Sequence, residues 1–263
     1  NAWDEAVQLV LWCLNLPADS DQGVLSRDLS LADRQLILDA VKKRIDQRIP
    51  LPYITHQAWF MGLPFYVDER VLIPRSPFAE LIQAQFSPWI PMKSIRRVLE
   101  IGTGSACMAI AVALIFPQVE VVATDIDPQA LMVAEKNISQ HGVSDRVRLI
   151  QSDVFDQVSG RFDLIISNPP YVPDAEMRSL PAEYSLEPEH ALRADHQGLA
   201  VVDKILAKAS DFLFDHGILI VEVGNTDELV EQQYADLPLT WVSFAHGGHG
   251  VFLISKTDLI ERG

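Results

Sequence analysis

The fold of this chain is decided at Val98-Leu99-Glu100-Ile101-Gly102-Thr103-Gly104-Ser105-Ala106. A short apolar strand runs into a glycine-rich turn, and the small apolar residues from Cys107 to Phe116 predict a helix directly after it. Glycine lets the backbone approach a ligand closely, and the helix that follows offers unpaired N–H groups. The stretch therefore predicts a ligand-binding turn that follows the first strand of an α/β domain.

A dinucleotide-binding loop is the main alternative for this turn. Its G-x-G-x-x-G spacing requires a third glycine at position 107, where this chain has Cys107. Glu100 also adds negative charge beside the place where a pyrophosphate would lie. Because a carboxylate at that point suits a cationic or amino-bearing ligand, we favour such a ligand over a dinucleotide.

A second motif, Asn168-Pro169-Pro170-Tyr171, follows an apolar run at 162–167 that predicts a buried strand. Neither proline has an N–H, so the two residues cannot join an ordinary strand ladder and their carbonyls are held stiffly. Asn168 adds a side-chain acceptor beside an aromatic ring. Converging acceptors next to an aromatic ring predict a site for a planar –NH2 group, on a nucleobase or a glutamine or asparagine side chain. A proline-rich turn after a strand is the structural alternative.

An acidic residue also ends the second predicted strand, at 119–124. Asp125 lies about 20 residues after the first glycine, where an acidic side chain binds ribose hydroxyls. Capping of the next helix is the alternative role for Asp125. Asp127 is the better N-cap, because Pro128 follows it at the first helical position. We therefore assign Asp125 to the ligand.

The composition predicts an acidic protein with a substantial core. The chain has 263 residues, 48% of them hydrophobic, a formal charge of −15 and a pI near 4.8. This charge argues against binding of phosphate backbones by bulk electrostatics and favours a basic partner. Cys13 and Cys107 are too few for a disulfide framework or a cysteine zinc site, and no apolar run has the length of a membrane span.

From this composition we expect a cytoplasmic protein with no membrane contact and no direct binding of nucleic acid. The sequence begins at Asn1 and not at a methionine, so we also expect that the full-length protein has residues before it.

The segment before the sheet reads as helices and a hairpin. Apolar residues recur at helical spacing through 1–50, with Ser30 as the N-cap of a second helix that Pro50 and Pro52 end. Alternation at 58–73 predicts a β-hairpin, and a helix is predicted from Phe78 to about Phe86. We predict three parts: a helical N-terminal substrate-recognition domain at 1–57, a β-hairpin and linker at 58–92, and a catalytic domain at 93–263.

From Lys93 onward strands and helices alternate, which indicates a mostly parallel sheet with helices on both faces. The short turn at 245–249 makes the last two strands an antiparallel hairpin. His246 and His249 lie in that turn without a third ligand nearby, so we interpret it as a polar turn and expect no metal site. The seven strands are predicted at 97–101, 119–124, 146–151, 162–167, 217–223, 239–244 and 250–255.

These motifs resemble those of a known family. The E-x-G-x-G pattern of the first stretch is similar to the first motif of S-adenosylmethionine-dependent methyltransferases, with Ala106 where many members have a third glycine. Asn-Pro-Pro-Tyr-Val at 168–172 resembles the substrate motif of the protein-glutamine N-methyltransferases. Pro74-Arg75 and Glu187-Pro188-x-x-Ala191-Leu192 are further features of that family. The resemblance covers nearly all of the chain and implies a seven-stranded Rossmann-like sheet.

The resemblance implies S-adenosylmethionine as the cofactor. It places Asp153 near the adenine amino group, with Val154 as an apolar contact; a solvated loop carboxylate is the alternative for Asp153. The cofactor-binding residues are then Glu100, Gly102, Thr103, Gly104, Ser105, Ala106, Asp125, Asp153, Val154 and Asn168.

The second motif then binds the substrate glutamine through Asn168, Pro169, Pro170 and Tyr171. We expect the Asn168 side chain and the Pro169 carbonyl to accept the two amide hydrogens, while the Tyr171 ring packs on the amide plane. Asn168, Pro169 and Tyr171 are therefore the predicted catalytic residues. No general base is apparent in the sequence.

Local departures indicate a branch of the family. The release-factor branch usually reads Pro-Arg-Pro-Asp-Thr-Glu after the hairpin, whereas this chain reads Pro-Arg-Ser-Pro-Phe-Ala-Glu at 74–80. That difference, the segment at 67–71 and the Gly-Gly-x-Gly-Val-Phe run at 247–252 resemble the branch that methylates a glutamine of ribosomal protein uL3. The resemblance implies uL3, a basic protein, as the substrate, with release factors as the alternative.

Two other functional classes make different predictions. A nucleic-acid amino methyltransferase shares the Asn-Pro-Pro-aromatic motif but calls for a basic groove or a target-reading domain, and the sequence indicates neither. A non-catalytic scaffold of the same fold would have a damaged glycine turn or lack Asn168, and the chain retains both apart from Ala106.

Overall fold

Helices, a short hairpin and a seven-stranded sheet follow one another along the chain in a computed structural model, which describes residues 2–17 and 19–261. The helices are α1 (Ala2–Cys13), α2 (Leu31–Asp46), α3 (Leu51–Thr55), α4 (Phe78–Gln83), α5 (Cys107–Ile115), α6 (Pro128–Gln140), α7 (Asp174–Met177), α8 (Glu189–Leu192), α9 (Ala200–Phe212), α10 (Asp227–Gln233) and α11 (Lys256–Ile260). The strands are β1 (Ala58–Phe60), β2 (Leu63–Phe65), β3 (Arg97–Ile101), β4 (Glu120–Asp125), β5 (Val147–Gln151), β6 (Phe162–Ser167), β7 (Leu213–Glu222), β8 (Thr240–Trp241) and β9 (Val251–Ser255).

The large sheet has the strand order β5-β4-β3-β6-β7-β9-β8. All neighbouring pairs from β5 to β7 are parallel, and β9 is antiparallel to both β7 and β8. The predicted α/β fold with a seven-stranded, mostly parallel sheet is therefore confirmed.

Both faces of this sheet are buried. Successive strand side chains point to opposite faces, so in β6 Leu164 and Ile166 belong to one apolar core and Ile165 to the other. Helices α4, α5 and α6 cover the first face, whereas α9, α10 and α11 cover the second. A sheet covered on both faces needs consecutive apolar residues in its central strands, which explains the apolar run at 164–166.

The N-terminal helices share a small core of their own, formed by Leu9, Cys13, Ala40, Leu51 and Ile54. A capping box starts α2 as predicted, with the Asp33 N–H donating to Ser30 Oγ at 3.1 Å. The predicted domain boundaries at 57/58 and 92/93 stay predictions.

Two prolines have a role opposite to the predicted one. Helix α2 already ends at Asp46, and Pro50 is the N-cap of α3, with Pro52 inside its first turn. Proline suits the first turn of a helix because its fixed φ is already helical and no N–H partner is needed there. Pro50 and Pro52 therefore begin a helix instead of ending one.

The hairpin is shorter than its sequence pattern indicated. Only β1 and β2 pair, and residues 66–77 form an irregular segment that we call the strap. Its backbone is held by side chains from elsewhere; for example, the Tyr66 N–H donates to Asn137 Oδ1 at 2.7 Å.

Other element bounds also differ from the sequence-based prediction. Strand β7 begins at Leu213, across an irregular pairing with β6, and β8 has only two residues. Helix α4 stops at Gln83, because Gln85 and Phe86 have left-handed φ values of 55° and 56°. Within the part of the chain that the structure describes, no helix has the length and apolarity to cross a membrane.

Candidate active site

The carboxyl ends of β3, β4, β5 and β6 meet at one edge of the sheet. Ile101 lies opposite both Thr124 and Ser167 in register, so the turns after these strands are neighbours. Ligands of open α/β sheets bind at such an edge, where the strand order reverses. A cavity of about 360 Å³ opens there, which we call the central cavity. The predicted site residues in its lining are Glu100, Gly102, Thr103, Gly104, Ser105, Asp125, Asp153, Val154, Asn168, Pro169 and Pro170.

The glycine turn at 102–106 forms the floor of the central cavity. Gly102 and Gly104 have φ values of 74° and 53°, and the Gly102 and Thr103 N–H groups both donate to Thr124 O at 2.8 Å. Ala106 has a φ of 62° and is fully buried as the N-cap of α5, outside the cavity lining. Its left-handed conformation costs an L-residue about 1–2 kcal/mol. Packing beneath the turn holds Ala106 in this conformation, so the loop keeps its path although the third glycine is absent.

Asp125 braces the same turn. Its Oδ2 accepts the Gly104 N–H at 2.9 Å, and its Oδ1 accepts the Asp127 N–H at 3.0 Å. Asp127 is the N-cap of α6, as predicted, and accepts the Gln129 N–H at 2.8 Å. Burial raises the pKa of Asp125, and the two N–H donors partly offset that effect. Asp125 therefore faces the cavity but is already engaged by the backbone.

Glu100 is almost fully buried beneath the turn, with 1% exposure. Its Oε2 accepts hydrogen bonds from Thr103 Oγ1 at 2.6 Å and from the Ala109 N–H at 3.0 Å. Burial raises the pKa of Glu100 to about 8, because desolvation of the charged carboxylate outweighs these two bonds. The carboxyl thus holds the start of α5 against the glycine turn while lining the cavity.

Asp153 and Val154 line the wall next to β5. Asp153 Oδ2 pairs with Lys204 Nζ at 2.6 Å, and both side chains are substantially exposed. An exposed pair of this kind contributes little stability, about 0–1 kcal/mol, so a ligand can replace the lysine at small cost. Val154 is buried with a φ of 50°, an uncommon conformation for a β-branched residue.

The substrate turn, residues 168–171, carries the predicted acceptors. Among the described residues, the carbonyls of Asn168, Pro169 and Pro170 accept no loop or turn hydrogen bond. The side-chain amide of Asn168 likewise makes no hydrogen bond with a described residue. A Cβ on Gly102 would lie 3.8 Å from Asn168 O, so this turn borders the glycine turn directly. The central cavity therefore brings open acceptors together with the predicted cofactor turn.

Tyr171 is placed differently from the rest of the motif. Its hydroxyl donates to Glu222 Oε1 at 3.3 Å, and its ring lies against the backbone of Gly224. The residue is not part of the cavity lining. The predicted packing of its ring on a substrate amide stays a prediction.

The strap forms a wall of the central cavity that the sequence reasoning missed. All seven residues from Arg70 to Ser76 line the cavity, whereas the sequence predicted only a hairpin and linker at 58–92. Glu187 holds this wall: Arg75 donates to its Oε1 at 2.7 Å and the Ile73 N–H to its Oε2 at 3.1 Å. The Pro-Arg and Glu-Pro features of the sequence therefore form one contact.

Glu222 is the other residue that the sequence reasoning missed. It is 5% exposed and ends β7 next to the substrate turn. A signal was present, because a carboxylate that closes an apolar strand is the same pattern that singled out Asp125.

Further charged groups lie around the cavity. His190 Nε2 lies 3.3 Å from Asp127 Oδ2, and Arg193 pairs with Glu189 and Asp174. Across residues 2–17 and 19–261, no group of three or more His, Cys, Asp or Glu side chains is arranged to hold a metal ion.

The environment of the thiol in the cavity lining disfavours its ionised, nucleophilic form. Burial raises the pKa of Cys107 to about 12, so the side chain carries its proton at neutral pH.

A second hollow, the outer groove, lies between the N-terminal helices and the hairpin. It has a volume of about 590 Å³ and includes Trp12 and Trp59, whose exposed fractions are 40% and 47%. The outer groove and the central cavity share Ile73 and Pro74, so the strap separates them.

Comparison with known proteins agrees with this geometry. The family model described as "Methyltransferase small domain" matches residues 85–184. The ribosomal protein uL3 glutamine methyltransferase of Francisella tularensis subsp. tularensis is 45% identical over 261 residues, which cover 98% of this chain and 83% of that protein. The protein of the same name from Neisseria gonorrhoeae is 41% identical, covering 99% of this chain and 87% of that protein.

Solved structures show the same fold at low sequence identity. The catalytic domain of hMettl16 in complex with MAT2A 3′UTR hairpin 6 has a TM-score of 0.58 and 18% identity, covering 84% of this chain and 80% of that chain. A methyltransferase from Pyrococcus furiosus has a TM-score of 0.54 and 22% identity, covering 85% and 96%. At this identity the likeness concerns the fold alone.

Proposed function

Because the chain belongs to the family of ribosomal protein uL3 glutamine methyltransferases, we propose that it methylates the side-chain amide nitrogen of a glutamine in uL3. The observation that carries this proposal is the near-full-length identity of 41–45% to proteins of that name. The open acceptors of Asn168 and the two prolines, which face a cavity at the strand ends, support it.

S-adenosylmethionine is the proposed methyl donor, and the lining of the central cavity fits it. A volume of about 360 Å³ lies in the range of small-molecule sites, roughly 300–1,000 Å³. Carboxyl groups at Glu100, Asp125 and Asp153 are acceptors for amino and hydroxyl groups, and Val154 supplies an apolar surface. When bound, this cofactor supplies an electrophilic sulfonium methyl group.

The substrate turn solves the main chemical difficulty, which is that an amide nitrogen is a poor nucleophile. In the proposed complex, the Asn168 side-chain oxygen and the Pro169 carbonyl accept the two amide hydrogens. These bonds fix the nitrogen at near-attack distance and stabilise the positive charge that it gains during transfer. The raised pKa of Cys107 disfavours a covalent route through its thiolate. We propose direct transfer, in which the new N–C bond would form as the bond between the sulfonium sulfur and the methyl carbon breaks, and the amide nitrogen would then lose one of its protons.

The remaining assignments are proposals about the rest of the chain. We propose that residues 1–57 select the substrate, that 58–92 join them to the active site, and that 93–263 carry the chemistry. The small core that α1–α3 form supports a distinct N-terminal unit, which also packs against α6 through Tyr53. The cytoplasm, where ribosomal proteins are made, is the proposed location.

The decisive experiment is transfer of a labelled methyl group by the purified protein. Separate reactions contain purified uL3, a release factor, or RNA, with S-adenosylmethionine as donor. We expect label on one glutamine of uL3, located by mass spectrometry, and no label on RNA. Label on the release factor alone would assign the protein to the release-factor branch. Label on RNA alone would reject glutamine methylation.

A further inference from the structure

Three glycines form a socket for Tyr171. A Cβ on Gly224 would lie 2.5 Å from Tyr171 Cε2 and 2.8 Å from Cζ, so the ring packs directly on the Gly224 backbone. A Cβ on Gly198 would collide with the Tyr171 carbonyl oxygen, and one on Gly250 with the Gly224 backbone. All three glycines have positive φ, at 51°, 95° and 66° for 224, 198 and 250. Close approach and backbone conformation both therefore require glycine at these positions.

One buried carboxylate completes the socket. Glu222 lies at the end of β7, beside the end of β6, because Ser167 pairs with Val221. Its Oε1 accepts the Tyr171 hydroxyl at 3.3 Å, and its Oε2 accepts the Ser76 hydroxyl at 2.5 Å. Ser76 Oγ in turn accepts the Phe78 N–H at 3.1 Å at the start of α4. A single side chain thus connects the substrate turn to the strap across the sheet edge.

The charge state of this carboxylate affects both contacts. Burial raises the pKa of Glu222 to about 7, and the Ser76 and Tyr171 hydroxyls and the nearby Arg75 act in the opposite direction. As a carboxylate, Glu222 accepts from both hydroxyls at once. After protonation one oxygen carries a proton and accepts less well, so the hydrogen bond from one of the two hydroxyls weakens.

We propose that Glu222 is a positioning residue of the methyl-transfer site: its carboxylate holds Tyr171 and Ser76 in one arrangement and so fixes the acceptors of the substrate turn. The kinetic part rests on the proposed function, because it concerns placement of the substrate amide. The structural part concerns the coupling of Glu222 to Tyr171 and does not depend on which substrate is used.

The kinetic test uses Glu222→Gln, which keeps the size of the side chain but has only one acceptor oxygen. Loss of one well-placed hydrogen bond predicts a kcat lower by about tenfold, with cofactor affinity within about twofold of wild type. The wild-type kcat falls as pH drops below about 7, where Glu222 gains its proton, whereas the variant has no such step. Glu228→Gln, an exposed change on α10, is the matched control and keeps wild-type kcat.

Tyr171→Phe separates coupling from simple loss of a contact. It removes the hydroxyl and keeps the ring, and the double variant with Glu222→Gln is expected to be no slower than the slower single variant. The proposal would be overturned if the two single-variant losses in kcat multiplied in the double variant. It would also be overturned if Glu222→Gln had the kcat and pH profile of wild type.

A spectroscopic readout needs no turnover. The protein labelled with 3-fluorotyrosine has five tyrosines, and Tyr171→Phe identifies the Tyr171 signal. We expect this ¹⁹F signal to shift with a midpoint near pH 7 in wild type and to lose that shift in Glu222→Gln. The same shift in both proteins, or none in wild type, would refute the coupling. If wild type transfers no methyl to uL3, the proposed function fails, and the ¹⁹F result still decides the role of Glu222.

Discussion

Asn168 is the side chain with the most direct part in the proposed reaction, because its amide oxygen accepts a hydrogen from the substrate amide. Asn168→Ala is expected to lower methyl transfer to uL3 by about 100-fold or more, the effect of losing one transition-state hydrogen bond. Cofactor affinity, measured by calorimetry, is expected to change little. Turnover within threefold of wild type would remove Asn168 from the mechanism.

Asp125 combines a structural and a proposed binding role at one residue. Asp125→Ala is expected to weaken S-adenosylmethionine binding by about 1–3 kcal/mol, as for hydrogen bonds to a charged acceptor. It also leaves the Gly104 and Asp127 N–H groups without their acceptor, so thermal stability falls as well.

Asp127→Ala is the matched control for that change. It removes the N-cap of α6, which costs about 1 kcal/mol of stability, and leaves cofactor affinity unchanged. If calorimetry finds the same affinity in both variants and wild type, Asp125 is only a brace.

Glu100 predicts a pH dependence of stability. Its pKa is about 8 in the folded protein, above the ordinary value of 4.5 that it regains on unfolding. The folded state therefore binds the extra proton between these pH values, and its stability falls as pH rises from about 4.5 to about 8.

Glu100→Gln cannot titrate, so its stability relative to wild type should rise across that interval. Urea unfolding of both cofactor-free proteins at several pH values measures the difference. A difference that is constant with pH would show that Glu100 ionises normally in the fold.

At the scale of elements, the turn after β7 packs against Tyr171 of the substrate turn at one glycine, Gly224. Gly224→Ala is expected to lower kcat at least tenfold and to reduce stability, because the new Cβ would lie 2.5 Å from the Tyr171 ring. Gly142→Ala also places an L-residue in the left-handed region, with a φ of 66° against 51° at Gly224, but its Cβ would meet nothing within 4 Å.

The two alanine variants thus separate collision from backbone strain. Steady-state kinetics and thermal unfolding of both proteins make the comparison. Equal losses in the two variants would mean that strain alone accounts for the need for Gly224.

Elements with a strong local pattern were predictable from sequence. Strands β3 and β6 have the predicted bounds, because a mostly apolar segment bounded by turn residues is recognised without a distant partner. The strap was not predictable: Ile73 is held by Glu187, 114 positions away, and no periodicity records such a contact. Glu222 had a signal of its own, as a carboxylate that closes an apolar strand, but nothing in the sequence pairs it with Tyr171, 51 positions before it.

At the scale of the whole molecule, the N-terminal helices contact the catalytic part through charged and apolar side chains, and Tyr53 of α3 shares a buried cluster with Ala130 and Val133 of α6. Arg44 and Arg48 both pair with Glu183, at 3.2 and 3.1 Å. A chimera that takes only residues 1–57 from a release-factor glutamine methyltransferase keeps the strap, and with it the wall of the central cavity. We expect such a chimera to bind S-adenosylmethionine with wild-type affinity and to lose most of its activity on uL3.

Calorimetry and labelled-methyl transfer test the chimera, and Glu183→Gln in the otherwise native chain controls for the lost ion pairs. Native activity of the chimera on uL3 would place substrate selection in the catalytic part, most simply in the region 172–197.

The partition that Ile73 and Pro74 form between the two hollows has a consequence for how ligands enter. Glu187 holds this partition from one side through the Ile73 N–H and Arg75, so a shift of the partition would break both contacts to a buried carboxylate. If the partition does not move, a ligand in one hollow does not change, through the partition, the affinity for a ligand in the other. By linkage this holds in both directions. A segment of protein substrate lying in the outer groove would then not change cofactor affinity through the strap, and any coupling between the two ligands would arise inside the central cavity, where the substrate glutamine meets the cofactor.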